Sequence, residues 1–322
     1  MSEIPQGAIR FNTDSQRLEF YAQGEWWVMS TDTPNLASAG DSTPGARGVF
    51  WRGFASPSNK NTIDYINVDF AGNAIDFGDA LASARQGGAC ASRVRSFCVG
   101  RDSANNTIET LVFASTGNST DFGNSTVSRN GSPAGGSNST RGLFAGGGAP
   151  TTTNIIDYIT MASTGDAVDF GDLTVARTDD PNGFSSPTRF LIGGGSSTPG
   201  SVIENVIDYV TIATLGNAQD FGDLTLVRDS AAAASNSIRG LWGGGRTTPV
   251  HTSSDVIDYV TIATLGNAQD FGDLTLVRDS AAAASNSIRG LWGGGRTTPV
   301  HTSSDVIDYV TIATLGNAQD FG

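Results

Sequence analysis

The feature that most constrains this chain is its self-similarity. Residues 206–272 recur letter for letter as residues 256–322, a copy displaced by 50 positions. Looser copies precede them. The triplet Asp-Phe-Gly begins at Asp76, Asp121, Asp169, Asp220, Asp270 and Asp320, with successive spacings of 45, 48, 51, 50 and 50 residues. Six units therefore fill nearly the whole chain of 322 residues. A period in this range belongs to solenoids, propellers and arrays, in which no unit buries its own apolar face and neighbours supply the rest.

Within one unit, Leu226–Arg228 leads into the small residues Ala231–Ser235, and Arg239–Trp242 form a short apolar run ending in Gly243, Gly244 and Gly245. A polar loop follows. The β-branched and aromatic run Val256–Thr264 carries Tyr259, Gly266 and Asn267 turn the chain, and Gln269–Leu274 offers one more short strand around Phe271. Apolar residues fall in short runs between Gly, Asn, Asp and Ser clusters, which is not a helical period. The pattern predicts four short strands per unit, almost no helix, and closure of the six units into a ring with Asp320–Gly322 beside the first unit. Thr33–Gly48 aligns without gaps to Thr225–Gly240 and is expected to supply the first unit's opening strand.

Gly7–Met29 stands outside the repeat. Ile9 and Phe11, then Leu18 and Phe20, alternate with polar residues around Asn12–Ser15, and Trp26 and Trp27 follow a turn at Ala22–Gly24. This predicts a three-stranded meander over residues 1–32, ahead of a repeat domain over 33–322. Three strands are too few to be stable alone, so the meander is expected to dock on the repeat domain or on another chain.

Charge and composition exclude some roles. Nineteen Lys and Arg against 32 Asp and Glu give a net charge of −13, with the arginines scattered among the acids, which argues against a nucleic-acid partner. Glycine, at 41 residues, recurs at fixed places in the repeat, as turn chemistry requires. Cys90 and Cys98 align with the apolar positions Ala234 and Trp242, so buried free thiols are favoured over a disulfide. The N-terminal residues MSEIPQGAIRF form no signal peptide and no apolar run is long enough to span a bilayer. Neither classical export nor membrane insertion is expected.

The order of arginine, small-residue strand, apolar strand ending in glycines, loop, tyrosine strand and aromatic strand resembles the kelch repeat over residues 34–322. Phenylalanine stands where kelch units usually carry tryptophan in the last strand, and the first two copies, VFWRGF and FCVGRD, are weak at the glycines. The resemblance implies an all-β, six-bladed kelch-like β-propeller preceded by the meander. The string GAIRFNTDSQRLEFYAQGEWWVM resembles a module near the ends of phage tail-fibre and other virion proteins, and units with IDYVTIAT and NAxDFGDLT resemble structural proteins of cyanobacterial phages.

No catalytic constellation is legible. The Asp-Phe-Gly triplets lack the lysine, His-Arg-Asp loop and glycine loop of a kinase. Gly243–Gly245 has neither a following helix nor a Walker lysine. His251 and His301 are one position copied twice and are read as loop residues, not metal ligands. Asn267, Asp270 and Asp273 are expected to cap backbone amides and not to bind calcium. Asp208, Asp258 and Asp308 are expected to bond loop amides, not to form acid and base pairs. No cofactor is implied.

The loop after the glycine run varies between units, from RGFASPSNKNT to GGGRTTPVHTSSD, while its flanks keep their pattern. Arg246, His251, Arg296 and His301 are therefore candidate contact residues, and Ile9, Phe11, Leu18, Phe20, Trp26 and Trp27 candidate attachment residues. The resemblance implies a non-enzymatic virion structural protein, assembled in the host cytoplasm. Its partners would be other virion proteins, further copies of itself and a host surface receptor or glycan. The alternatives are an intracellular kelch interaction module and an enzyme on a propeller scaffold.

Overall fold

Short β-branched and aromatic runs between turn residues leave the chain no helix among the described residues, and every pair of strands is antiparallel. The computed structural model describes residues 5, 7–12, 17–28, 47–55, 57–101, 103, 105–148, 152–178, 180–198, 202–248, 252–297 and 302–322. The chain divides into two units, Met1–Ala37 and Ser38–Gly322.

The first unit is a sheet of β1 (Ile9–Asn12), β2 (Arg17–Ala22) and β3 (Glu25–Val28) in that order. Gln23 and Gly24, at φ 55° and 86°, make the tight turn between β2 and β3. Arg10 lies opposite Glu19 in register, donates from Nε to Glu19 Oε2 at 2.8 Å and covers the Trp26 ring at 4.1 Å. Tyr21 meets Trp26 edge-on, with centroids 5.3 Å apart.

Among the described residues the second unit contains six main sheets in chain order, besides two short two-stranded ones, Ser196–Thr198 with Val202–Ile203 and Arg296–Thr297 with Thr302–Ser303. The first has Arg47–Ala55, Ser58–Asn67 and Ile75–Ala84. The second has Gly88–Ala91, Arg95–Val99, Asn105–Val112 and Thr120–Arg129. The third has Ala134–Ser137, Arg141–Ala145, Thr153–Thr160 and Val168–Arg177. The fourth has Asn182–Ser185, Arg189–Gly193, Val206–Thr211 and Gln219–Asp223. Ala232–Ser235, Arg239–Gly243, Thr252–Thr261 and Gln269–Arg278 form the fifth. Ala282–Ser285, Arg289–Gly293, Ile307–Thr311 and Gln319–Asp320 form the sixth. Of the expected opening strand of the first unit, only Arg47 and Gly48 are among the described residues. The loop after the glycine run is not wholly irregular, since Arg246–Thr247 pairs with the start of Thr252–Thr261.

The core lies between sheets. Phe184 and Leu191 of the fourth sheet pack with Trp242 and Ile262 of the fifth, and the same kind of cluster joins Ile66 and Val68 of the first sheet to Leu291 and Phe321 of the sixth. Each Asp-Phe-Gly phenylalanine is at most 3% exposed, a burial worth about 2 kcal/mol apiece.

The glycine that follows each of these phenylalanines explains the triplet. The carbonyl of Phe77, Phe122, Phe170, Phe221 and Phe271 accepts a hydrogen bond from Gly117, Gly165, Gly216, Gly266 and Gly316 of the next sheet, at 2.8–3.0 Å. Phe321 O accepts the same bond from Gly72 N of the first sheet at 2.9 Å. A β-carbon on Gly171 would stand 2.4 Å from Gly216 O, and one on Gly322 2.7 Å from Gly72 C. The backbones meet where no side chain fits.

Gly171→Ala should therefore cost more than Gly165→Ala. Both glycines have positive φ, at 147° and 157°, but a β-carbon on Gly165 meets nothing within 4 Å. Urea denaturation should show a loss of about 1–3 kcal/mol from the backbone conformation at either position and a further loss at Gly171 alone. Equal losses would show that the close approach is not what the glycine serves.

Candidate functional site

The titratable groups of the repeat are drawn into the seams between sheets. The last residue of an outer strand, Arg177, is fully buried and reaches into the next sheet, donating from Nη1 to Gly194 O and Val206 O and from Nη2 to Asp208 Oδ2 at 2.5 Å. Asp208 also accepts from Thr174 Oγ1 at 2.6 Å and Thr174 N at 3.2 Å. The arrangement recurs with Thr225, Arg228 and Asp258, and with Thr275, Arg278 and Asp308. Arg129, Thr126 and Asp157 form it between the second and third sheets. Burial lowers the pKa of Arg177, Arg228 and Arg278, and the paired aspartates pull it back up. Asp208, Asp258 and Asp308 thus do meet backbone amides, but those of threonines on the preceding sheet's outer segment, Thr174, Thr225 and Thr275, and the sequence reading missed their principal partner. The signal available was an arginine six residues after the Asp-Phe-Gly glycine in four of the six units, at Arg129, Arg177, Arg228 and Arg278, which sequence patterning alone gave no reason to pair with an acid ahead of a tyrosine.

A second arginine works at the surface of five of the seams, those of Arg47, Arg141, Arg189, Arg239 and Arg289. Arg189 stacks over Tyr209 of its own sheet at 4.9 Å and donates to Ile262 O of the next at 2.9 Å. Arg239 does the same with Tyr259 and Ile312 O, and Arg289 with Tyr309 and Val68 O. Each such stack is worth about 0.5–1 kcal/mol at an exposed site.

The seam between the first and second sheets is built differently. Ala84 stands at the end of the outer strand, and Glu109 replaces the aspartate. Arg52, from the position of the second glycine of the run, donates to Gly100 O at 3.0 Å and to Glu109 Oε1. Arg101, from the position of the third glycine, donates to the same Oε1 at 2.9 Å. The weak glycine runs of the first two units thus exchange turn residues for guanidinium groups.

The inner strands line a cavity of about 170 Å³, walled by small residues such as Ala89, Gly136 and Ala233, with Arg47 at its edge. Its hydroxyls bond along the wall: Ser137 Oγ to Ala91 O at 2.7 Å, Ser185 Oγ to Ser137 O at 2.7 Å and Ser235 Oγ to Ser185 O at 3.2 Å. Cys90 borders this cavity, and both it and Cys98 are free and buried; burial pushes the Cys98 thiol up to about 11. Among the described residues no group of three or more His, Cys, Asp or Glu is placed to hold a metal ion.

Of the candidate contact residues, Arg246 and Arg296 are ion-paired. Arg246 donates to both carboxylate oxygens of Asp229, at 2.8 and 3.1 Å, and Arg296 to Asp279 Oδ1 at 2.8 Å. Burial opposes the charge of Arg246, but Asp229, aided by Asp279 and Asp180, holds its pKa above the usual value. His251 and His301 lie outside the described residues. Of the candidate attachment residues, Ile9 is 63% exposed and lies opposite Phe20, which is 37% exposed and lies opposite Trp27. Phe11 and Leu18 pair one step along, whereas Trp26 belongs to the opposite face with Tyr21 and Arg10. The side chains of Phe11, Leu18 and Trp27 lie outside the description. No protein-family model matches the chain, and none of the curated proteins matches it.

Two measurements test the seams. Arg177→Met leaves Asp208 buried without its cation and should cost about 3–5 kcal/mol, while adding Asp208→Leu should recover much of the loss. A double variant as unstable as the single one would show that the pair is not what binds the strand. Asp64, the counterpart of Asp208 in the first sheet, has no arginine partner among the described residues, and burial, then the facing Asp76, raise its pKa above 3.8. Its contribution to stability is full below 3.8 and is lost as pH rises through the raised value. Asp64→Asn should therefore be more stable than the parent at neutral pH, with the gap closing in acid; a gap that is constant with pH would refute this.

Proposed function

We propose that residues 38–322 are a six-bladed, kelch-like β-propeller and that the protein is a non-enzymatic structural component of a phage virion, in a tail fibre or another exposed part. The observation that carries the architecture is the glycine-to-phenylalanine bond, made at all six seams, including the one that joins the sixth sheet to the first. Six sheets with their inner strands around one narrow cavity suit a propeller, which leaves only short, protected edges. The virion role is supported by the N-terminal string, whose strands form a separate sheet with Ile9 and Phe20 exposed on one face. The meander attaches to other virion proteins, and the loops after the glycine runs meet a host surface receptor or glycan. Repeated groups at separated places around a scaffold serve multivalent contact, since weak contacts add through effective concentration. Catalysis needs unlike groups converging at one place.

Deleting Gly7–Met29 should leave the second unit folded, with an unchanged urea transition, while the protein no longer joins the particle. Particles that incorporate the shortened chain at the parent level would overturn the attachment role.

A further inference from the structure

The turns at one end of the second unit carry apolar side chains that the turns themselves do not need. In the fifth sheet Arg239 lies opposite Thr261, so the turn before the one and the turn after the other leave from the same end, tied by Ile262 N donating to Ile238 O at 2.8 Å. The sixth sheet repeats this with Ile312 N and Ile288 O. Ile238, Leu265, Ile288, Leu315 and, in the corresponding turn of the first sheet, Phe70 are 53–71% exposed. The third sheet makes the same turns with threonines, Thr140 and Thr164, at the equivalent positions, and Met161 N still donates to Thr140 O.

Hydrogen bonds between sheets hold these turns side by side. Asn236 Nδ2 donates to Ser287 O at 3.2 Å, which brings the turn of Ile238 against that of Ile288, and Asn286 Nδ2 donates to Asp69 Oδ1 at 2.9 Å, which brings Ile288 towards Phe70. Arg239 Nη1 donates to Ala313 O and Arg289 Nη1 to Asp69 O, each at 2.9 Å, so the outer turns follow the same arc. The five side chains present roughly 600 Å² of apolar surface, as much as a monomer ordinarily leaves bare and close to one partner's share of a small specific interface. Arg239 and Arg289 are spent on these carbonyls and on Tyr259 and Tyr309, and Asp69 on Asn286. What the arc offers an occupant is therefore area, which a second copy of the same arc matches without an opposite charge.

We propose that this arc is the contact between two copies of the chain, related by a twofold axis, with the apolar turns of one packed on those of the other. Two arcs bury about 1,200 Å², the low end of specific interfaces, so the pair is weak and forms where copies are concentrated. Chains of net charge −13 repel one another, so salt favours the pair. The contact does not depend on the virion reading.

Sedimentation velocity of the purified full chain tests it. Pairing should appear with a Kd of about 10–100 μM and tighten several-fold as sodium chloride or sulfate is raised. Ile238→Thr with Ile288→Thr, which installs the third sheet's residue, and Phe70→Ser with Ile288→Ser should each weaken pairing by about tenfold or more and leave the urea transition in place. Ile9→Ser, in the first unit, should leave pairing unchanged. A chain that stays monomeric at every concentration and salt overturns the proposal, as does pairing that both double variants retain, that salt weakens or that Ile9→Ser abolishes. A monomeric chain whose arc variants alone fail to join a particle would give the arc to another virion protein and likewise overturn the second copy.

Discussion

The second unit depends on the contact of two backbones at a place where a β-carbon cannot stand. The glycine of each Asp-Phe-Gly triplet brings its strand against the turn glycine of the next sheet, so the phenylalanine carbonyl reaches that turn while its ring is buried. Hydrophobic burial is non-directional and would let two sheets slide. The glycine contact fixes the distance and the hydrogen bond fixes the register. Other features of the seam follow from that approach: the turn asparagine that reaches back to the preceding sheet, as Asn267 Oδ1 accepts from Asp223 N at 3.1 Å, and the arginine that crosses from one sheet to another.

The glycine run answers the same demand at the inner side of the seam. Gly193 and Gly243 leave room for Trp242 and Trp292 of the following sheet, whose indole nitrogens donate back to Asn182 O and Ala232 O at 3.0 Å. Gly244, at φ 71°, ends the strand and offers its carbonyl to Arg228. What looks in sequence like a phosphate cradle is a socket for an aromatic ring.

Much of this was legible in advance. Period, strand content and the burial of cysteines follow from local composition, because turn residues and β-branched runs act over a few positions. The meander was legible for the same reason, and in register Trp26 lies opposite Tyr21 while Trp27 lies opposite Phe20. The buried ion pairs were not legible, since Arg177 and Asp208 are 31 residues apart and meet only once two sheets dock. Nor could the pattern say that Arg246 and Arg296 are held by Asp229 and Asp279 across 17 residues.

The letter-for-letter copy has a consequence for how the chain finds its fold. Identical sheets present identical docking faces, so the fourth sheet's partner surface on the fifth is repeated on the sixth, and a collapsing chain has degenerate pairings of nearly equal energy. Degeneracy of this kind is resolved only where a surface differs from its copies. The seam of Arg52, Glu109 and Arg101 is such a place, because Ala84 cannot supply the arginine that a regular neighbour expects. The irregular seam thus acts as an address within an otherwise repetitive molecule, telling the first two sheets which partner is theirs.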